Sequence, residues 1–364
     1  MTRVLLLGSS GAVGQCCLQT LTRSGEVSVL IAGRDETRLR AVASATRADV
    51  EIARVDVTDK AAVTALAARS DVVINCAGPA HRLSAPVVDV AAAAGVPYVD
   101  PGGDDGLLDR LGAAGVDVPV VLQAGVQPGL SGLLLRVLAS HRPDKIDGIT
   151  VWCGGLQRLT PASVLEYLAS VQDTHGHPGA ALRAGVIRRV GHDECKPAPG
   201  QYFPESVTVR PYLDAETIAV AAHLGVDNVW WMNVFDGART TRAMQLLAGG
   251  QADVGDVQAA VKLDLFGRQP YFTIVGNAHG NGGTTTIVFS CQDSYRVTGA
   301  LVAYVAYQVV DLPAGVRAFW TLDEPQRALQ FLDRVVPEAA VSVVDEPTTG
   351  IAGGYAPLVE EGSL

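Results

Sequence analysis

"VLLLGSSGAVGQ", residues 4–15, runs four aliphatic residues straight into glycines at positions 8, 11 and 14. The spacing GxxGxxG recurs by chance in loops rich in small residues, so its meaning rests on its neighbours. An apolar strand precedes it, and Ala12 to Leu21 open a helix directly after it. That context makes it a dinucleotide-binding turn. Gly8 permits the tight turn, Gly11 lets a pyrophosphate approach the backbone, and Gly14 lets the helix pack on the strand. The phosphates are then expected against Gly8, Ser9, Ser10, Gly11, Ala12, Val13 and Gly14, at the positive end of the helix.

Outward from this turn, short β-branched runs alternate with Ala/Leu/Arg-rich stretches to about residue 125. They read "RVLLLG", then 12–24, "VSVLIAGR", then 35–46, "VEIARVDV", then 59–69, "DVVINCAG", then 84–94, followed by "VPYVD" and "VPVVLQAG". Continuous apolar strands separated by helices form a parallel sheet covered on both faces. Right-handed crossovers make it a doubly wound, Rossmann-type domain. After Gly129 the texture changes. "IDGITVWCGG", "VDNVWWMNVFDG", "QPYFTIVGNAHG" and "GTTTIVFSCQD" alternate or carry aromatics, which predicts an α+β domain on a mostly antiparallel sheet. The fold class is α/β, and 364 residues suit two domains, 1–128 and 129–294. Residues 172–205, dense in Gly, Pro and His, predict an irregular loop of the kind used as a lid or binding segment, bringing His175, His177 and His192.

The second strand decides which dinucleotide is bound. An acidic residue at its end would hold the ribose 2′-OH, but "LIAGRDETRLR" puts Gly33 and Arg34 there, which selects NADP(H). Arg34 can stack on adenine and pair with the 2′-phosphate, and Arg38 lies one turn later. Asp35 is an N-cap in this reading and the ribose ligand in the NAD(H) alternative. The third strand ends in Asp56 and Val57, where a side chain meets adenine. The fourth ends in "NCAGPAH", so the backbone of Cys76, Ala77, Gly78 and Pro79 passes under the nicotinamide ribose.

Composition excludes other classes. Lys plus Arg total 28 against 38 Asp plus Glu, a net charge of −10, the wrong sign for neutralising a phosphate backbone, so no nucleic acid is expected. Residues 297–314, "VTGALVAYVAYQVVDLPA", are too short for a membrane span and predict a buried helix. No secretion signal is recognisable after Arg3, so a cytoplasmic location is expected. The six cysteines are scattered without CxxC, so neither a metal site nor a disulfide framework is expected.

The stretch "NCAGPAHRLSAPVVDVAAAAGVPYVDPGGDDG" (75–106) resembles the saccharopine dehydrogenase-like reductases, whose pattern runs NCxGP, PVV, AGxxYVDxxGE. "LQAGVQPGLSGLLLR" (122–136) is similar to the family's segment joining its two domains. "DSYRVTGALVAYVAYQVV" with "PAGVRAFWTLDEP" resembles its late helix and closing segment. The resemblance implies that residues 295–364 complete the nucleotide domain, and that the second domain binds substrate and pairs the chain as a homodimer. Asp104 stands where many members have Glu. In size and character the chain is similar to the thiazolinyl imine reductases of siderophore assembly. That implies NADPH-dependent hydride transfer to a C=N carbon, on a small substrate tethered to a peptidyl carrier protein.

Three residues are candidates for the chemistry. His81, three residues past Gly78, either donates a proton beside the nicotinamide or is a surface histidine hydrogen-bonded in its loop. Asp104 and Asp100 follow the next strand and either bind substrate or hold the domain junction. Tyr98 points away from Asp100 if that strand continues. Gln127 either donates to substrate or caps the following helix. A short-chain dehydrogenase needs YxxxK, and none of the nine tyrosines has lysine four residues later. An enzyme handling saccharopine-type secondary amines needs basic residues for several carboxylates, which Arg183, Arg188, Arg189, Arg239 and Arg242 keep open. A non-catalytic NADP(H)-binding sensor stays open as well.

Overall fold

Four consecutive buried aliphatics, Val4 to Leu7, make β1 (Thr2–Leu7) a central strand, because only a strand covered on both faces hides every side chain. The computed structural model describes residues 2–46, 48–142, 144–172, 176–191 and 194–348. From β1 the chain continues through α1 (Ala12–Ser24), β2 (Val27–Gly33), α2 (Glu36–Ala45), β3 (Glu51–Arg54), α3 (Lys60–Ala67) and β4 (Val72–Asn75). Then follow α4 (Ala80–Ala93), β5 (Tyr98–Val99), α5 (Asp105–Ala114), β6 (Pro119–Leu122) and α6 (Leu130–Ser140). With a late strand, Gly315–Ala318, these strands form one seven-stranded sheet, paired in parallel throughout. Its order is the late strand, β6, β5, β4, β1, β2, β3, so the order reverses between β1 and β4. That reversal opens the crevice in which doubly wound sheets bind ligands.

On one face, Leu5 and Leu7 pack with Val63, Val87, Val88, Leu107 and Leu111 of α3, α4 and α5. Helix α4 starts four residues before the predicted 84–94, because the N–H groups of Arg82 and Leu83 already bond the Pro79 carbonyl. Pro86, suited by type to a first turn, therefore lies inside the helix.

The chain divides into two units, Met1–Leu133 with Tyr295–Pro337, and Leu134–Ser294 with the described residues from Glu338 on. In the second unit β7 (Ile146–Leu156) is followed by α7 (Pro161–Gln172), β8 (His177–Pro178), β9 (Ala180–Arg183), β10 (Val186–Arg189), β11 (Thr208–Leu213) and α8 (Ala215–Leu224). Next come β12 (Val229–Phe235), α9 (Ala238–Ala248), α10 (Val254–Asp264), β13 (Tyr271–Gly280) and β14 (Gly283–Cys291). The described residues close with α11 (Ser294–Ala306), β15 (Gly315–Ala318), α12 (Pro325–Val335) and β16 (Ala340–Val344). The second sheet is ordered β10, β9, β12, β7, β13, β14, β16, with β11 on β12 and β8 on β11. Among the described residues only β7 and β12 of this sheet pair in parallel.

Two expectations change here. Part of the predicted irregular loop 172–205 is a hairpin, β9 to β10, whose two-residue turn puts both Ala184 (φ 49°) and Gly185 (φ 72°) in the left-handed region. Such a turn matches the right-handed twist of its strands. The segment predicted to complete the nucleotide domain through residue 364 belongs to that unit only as far as Pro337, because β16 pairs antiparallel with β14 in the second sheet. Residues 349–364 of that segment, with His175 and His192, lie outside the described residues.

The apolar run after residue 297 is α11, buried at Val297 and from Gly299 to Ala306. Among the described residues no helix is long and apolar enough to cross a membrane. Helix α11 presses its backbone on α1, since a Cβ on Gly299 would stand 2.6 Å from both Cys16 Cβ and the Cys17 nitrogen. Gly299→Val therefore overpacks this contact and is expected to cost about 1–3 kcal/mol. Thermal unfolding should show a clearly lowered midpoint, whereas an unchanged one would mean the two helices are free to separate.

Candidate functional site

The site is a row of loops along the carboxyl edge of the parallel sheet. Gly8 ends β1 at φ 72°, donates its N–H to the Ala32 carbonyl at 3.0 Å, and lies so close to β4 that a Cβ would meet the Ala77 nitrogen at 2.5 Å. A Cβ on Gly14 would stand 2.3 Å from the Gly8 oxygen, so α1 begins in backbone contact with the turn. Gly11 differs. It is exposed, and the nearest atom to its Cβ position is the Gly8 oxygen at 3.2 Å.

These features suit a bound pyrophosphate. Gly11 is the N-cap of α1 and supplies no side-chain cap, and no acid lies in the first turn, so the helix end is left to an anion. The Ser9 hydroxyl is fully buried and has no hydrogen-bond partner among the described residues. Ser10 closes the turn from the other side, its carbonyl accepting from Gln15 Nε2 at 2.9 Å.

At the end of β2, Gly33 is half-buried and Arg34 exposed. Asp35 caps α2, its Oδ1 accepting from the Arg38 N–H at 3.1 Å while Oδ2 pairs with Arg38 Nε at 3.4 Å. The acid is thereby engaged by its own helix, and Arg34 is left facing solvent at the strand end. Asp56 holds its own turn, accepting from the Thr58 N–H at 3.0 Å and hydroxyl at 2.8 Å. Those bonds, led by the backbone one, keep its carboxyl below the ordinary range, with a smaller contribution from the Arg34 charge. Arg34 and Asp56 thus stand near one another where β2 and β3 end, and Val57, next in the chain, is half-buried.

Beyond β4 the loops touch in sequence. Asn75, fully buried, accepts from the Ala77 N–H at 3.1 Å and thereby shapes the run Cys76, Ala77, Gly78, Pro79. Its amide donates to Tyr98 Oη and Asp100 Oδ2, both at 3.0 Å. The Tyr98 hydroxyl donates to the same carboxylate oxygen at 2.5 Å, and the Gly102 N–H to Oδ1 at 2.8 Å. Tyr98 and Asp100 therefore face the same side, as residues two apart on extended chain do, which corrects the expectation that they diverge. Burial pushes the Asp100 carboxyl up, against these donors. The Cys76 thiol is also pushed up, first by its hydrogen bond with Cys17 and then by burial.

Next along the edge, a Cβ on Gly102 would meet Ala80 Cβ at 2.4 Å, and the Gly102 carbonyl accepts from the Gln123 N–H at 2.7 Å. His81 is exposed on the first turn of α4, so it belongs to a helix rather than to the loop expected for it. Asp104 caps α5, accepting from the Leu107 N–H at 2.6 Å. Gln127 is half-buried in the turn between Gly125 and Gly129. The buried network of Asn75, Tyr98 and Asp100 is what residue-by-residue reading missed as a unit; its one signal was the polar Asn75 closing an apolar strand.

Comparisons with known proteins bear on the cofactor and the fold. Residues 4–109 match the family model for the saccharopine dehydrogenase NADP binding domain. A trans-acting enoyl reductase of Mycobacterium tuberculosis is 33% identical over 101 residues, 27% of this chain and 24% of that protein. A saccharopine dehydrogenase-like oxidoreductase of Arabidopsis thaliana is 30% identical over 123 residues, 30% of this chain and 27% of that protein. The chain thus spans about a quarter of the length of the curated relatives it matches. Among solved structures, apo saccharopine dehydrogenase (L-Glu forming) of Saccharomyces cerevisiae superposes with a TM-score of 0.66 at 17% identity, covering 94% of this chain and all of that one, a likeness of fold. NADP(H) is the cofactor of the first unit.

The raised carboxyl of Asp100 has a pH consequence. Its folded-state value lies above its unfolded one, so its contribution to stability is full below the unfolded value and is lost as pH rises through the folded value. Asp100→Asn removes that titration. The stability difference between variant and parent, followed by urea unfolding from pH 4 to 8, should shift steadily in favour of the variant; a pH-independent difference would show that Asp100 does not titrate on unfolding.

Proposed function

We propose that the chain is an NADPH-dependent reductase that adds hydride to a C=N bond, its substrate a thiazoline held on a peptidyl carrier protein. The observation that carries the reductase reading is the continuous edge from the glycine turn to Gly125. A phosphate cradle, Arg34, a rigid β4 end and the His81 turn all stand at the carboxyl ends of neighbouring strands. When bound there, the nicotinamide supplies the hydride.

The chain's own residues orient, shape and protonate. The N–H groups opening α1 hold the pyrophosphate, and Arg34 takes the 2′-phosphate. Asn75, braced by Tyr98 and Asp100, fixes the strand end beneath the nicotinamide ribose. Asp104 is engaged as a helix cap, and Asp100 is enclosed, which leaves His81 as the exposed group to deliver a proton to the substrate nitrogen. A second reading has one specific support: relatives similar over 101 residues are named for enoyl reduction, which favours hydride addition to a conjugated C=C.

Loss of NADPH absorbance separates the two. With a thiazoline thioester and an enoyl thioester offered in parallel, turnover of the first alone is expected, and turnover of the second alone overturns the C=N reading. His81→Ala should lower kcat for the thiazoline by about a hundred-fold, within the usual range for a general acid. A rate within about three-fold of the parent at every pH, under roughly 1 kcal/mol, would remove His81 from the mechanism.

A further inference from the structure

The chain carries a net charge of −10, yet one end of its α9–α10 hairpin is basic. Within 236–248 and 257–270 the acidic residues are Asp236 and Asp264, both buried. Each is spent on an arginine. Asp236 holds Arg268 at 2.5 Å and also accepts from the Tyr271 hydroxyl at 2.9 Å. Asp264 pairs with Arg239 at 3.3 Å and accepts from the Thr240 N–H at 2.7 Å and hydroxyl at 2.8 Å. A Cβ on Gly237, the N-cap of α9, would stand 2.7 Å from Asp264 Oδ2, so the two aspartates flank one turn of backbone.

The arginines are anchored from beneath and open above, with side chains 40% exposed for Arg268 and 66% for Arg239. Arg242, one helical turn after Arg239, and Lys262 add exposed cations. Among these charges stand two exposed apolar side chains, Leu263 at 61% and Phe266 at 88%. An exposed aromatic on the same hairpin as exposed arginines matches the composition of protein contact surfaces. Anchoring matters as well, because a guanidinium already held in place loses little freedom on meeting a partner. The charge selects that partner: an acidic surface is attracted to this patch and repelled by most of the remaining molecule.

We propose that this end of the α9–α10 hairpin docks a small acidic protein domain, with carboxylates over Lys262, Arg242, Arg239 and Arg268 and an apolar contact on Phe266. The partner's identity rests on the function proposed above: it is the carrier domain bearing the substrate. The existence of an acidic-partner surface does not depend on the reaction.

The test titrates the full chain with a fluorescently labelled, purified acidic peptidyl carrier domain. Binding should weaken with added salt, and Lys262→Glu combined with Phe266→Ser should raise Kd at least ten-fold while circular dichroism and NADPH affinity stay as in the parent. The same variant should raise KM for a carrier-bound substrate and leave KM unchanged for the corresponding small thioester. Equal Kd for parent and variant overturns the proposal, as does no carrier binding by the parent at low salt. It is also overturned if the variant alters only self-association in size-exclusion chromatography, which would make the patch a contact between copies of this chain. Charge-dependent carrier binding without reduction of either substrate sustains the docking surface and sinks the reaction.

Discussion

Backbone meets backbone where β1 gives way to α1, and the first unit is arranged around that contact. The Gly8 oxygen occupies the place of a side chain at Gly14, and the Cys76–Ala77 peptide occupies the place of one at Gly8. Any larger residue at either position would drive α1 off the sheet or β1 away from β4. Two consequences follow together. The helix end is brought to the sheet's carboxyl edge with its N–H groups uncapped, and Gly11 is left as exposed backbone over which a phosphate can lie. The reversal of strand order falls between the same two strands, so anion site and crevice share one origin.

What is legible in the sequence is what is local. The aliphatic runs of β1, β2 and β4, the glycine spacing, and Asp35 as a cap are all written within a few residues of where they act. The Asn75–Tyr98–Asp100 network joins residues 23 and 25 positions apart, and it exists because β4 and β5 are neighbours in the sheet. No spacing rule announces it. The β9–β10 hairpin was hidden for another reason: Ala184 occupies a left-handed position where glycine or asparagine would have been the signal. The strand β16 was misassigned because its partner, β14, lies about fifty residues earlier, and a short apolar run does not say which sheet it joins.

The segment that matches the NADP-binding family model, residues 4–109, lies in the nucleotide unit. In the second unit, buried aspartates set the arginines of the α9–α10 hairpin, just as buried Asp100 sets the end of β4 in the first. In both units a buried carboxylate fixes the groups that present themselves at the surface.

We infer that the first unit recognises the 2′-phosphate of NADPH through Arg34 at the end of β2. Fluorescence titration of the parent and of Arg34→Ala with NADPH and with NADH tests it most directly. The parent is expected to bind NADPH more tightly than NADH. The variant is expected to lose about ten-fold or more of its NADPH affinity, the scale of a charge-assisted hydrogen bond, with a far smaller change for NADH. Equal affinity of the parent for the two cofactors would contradict it.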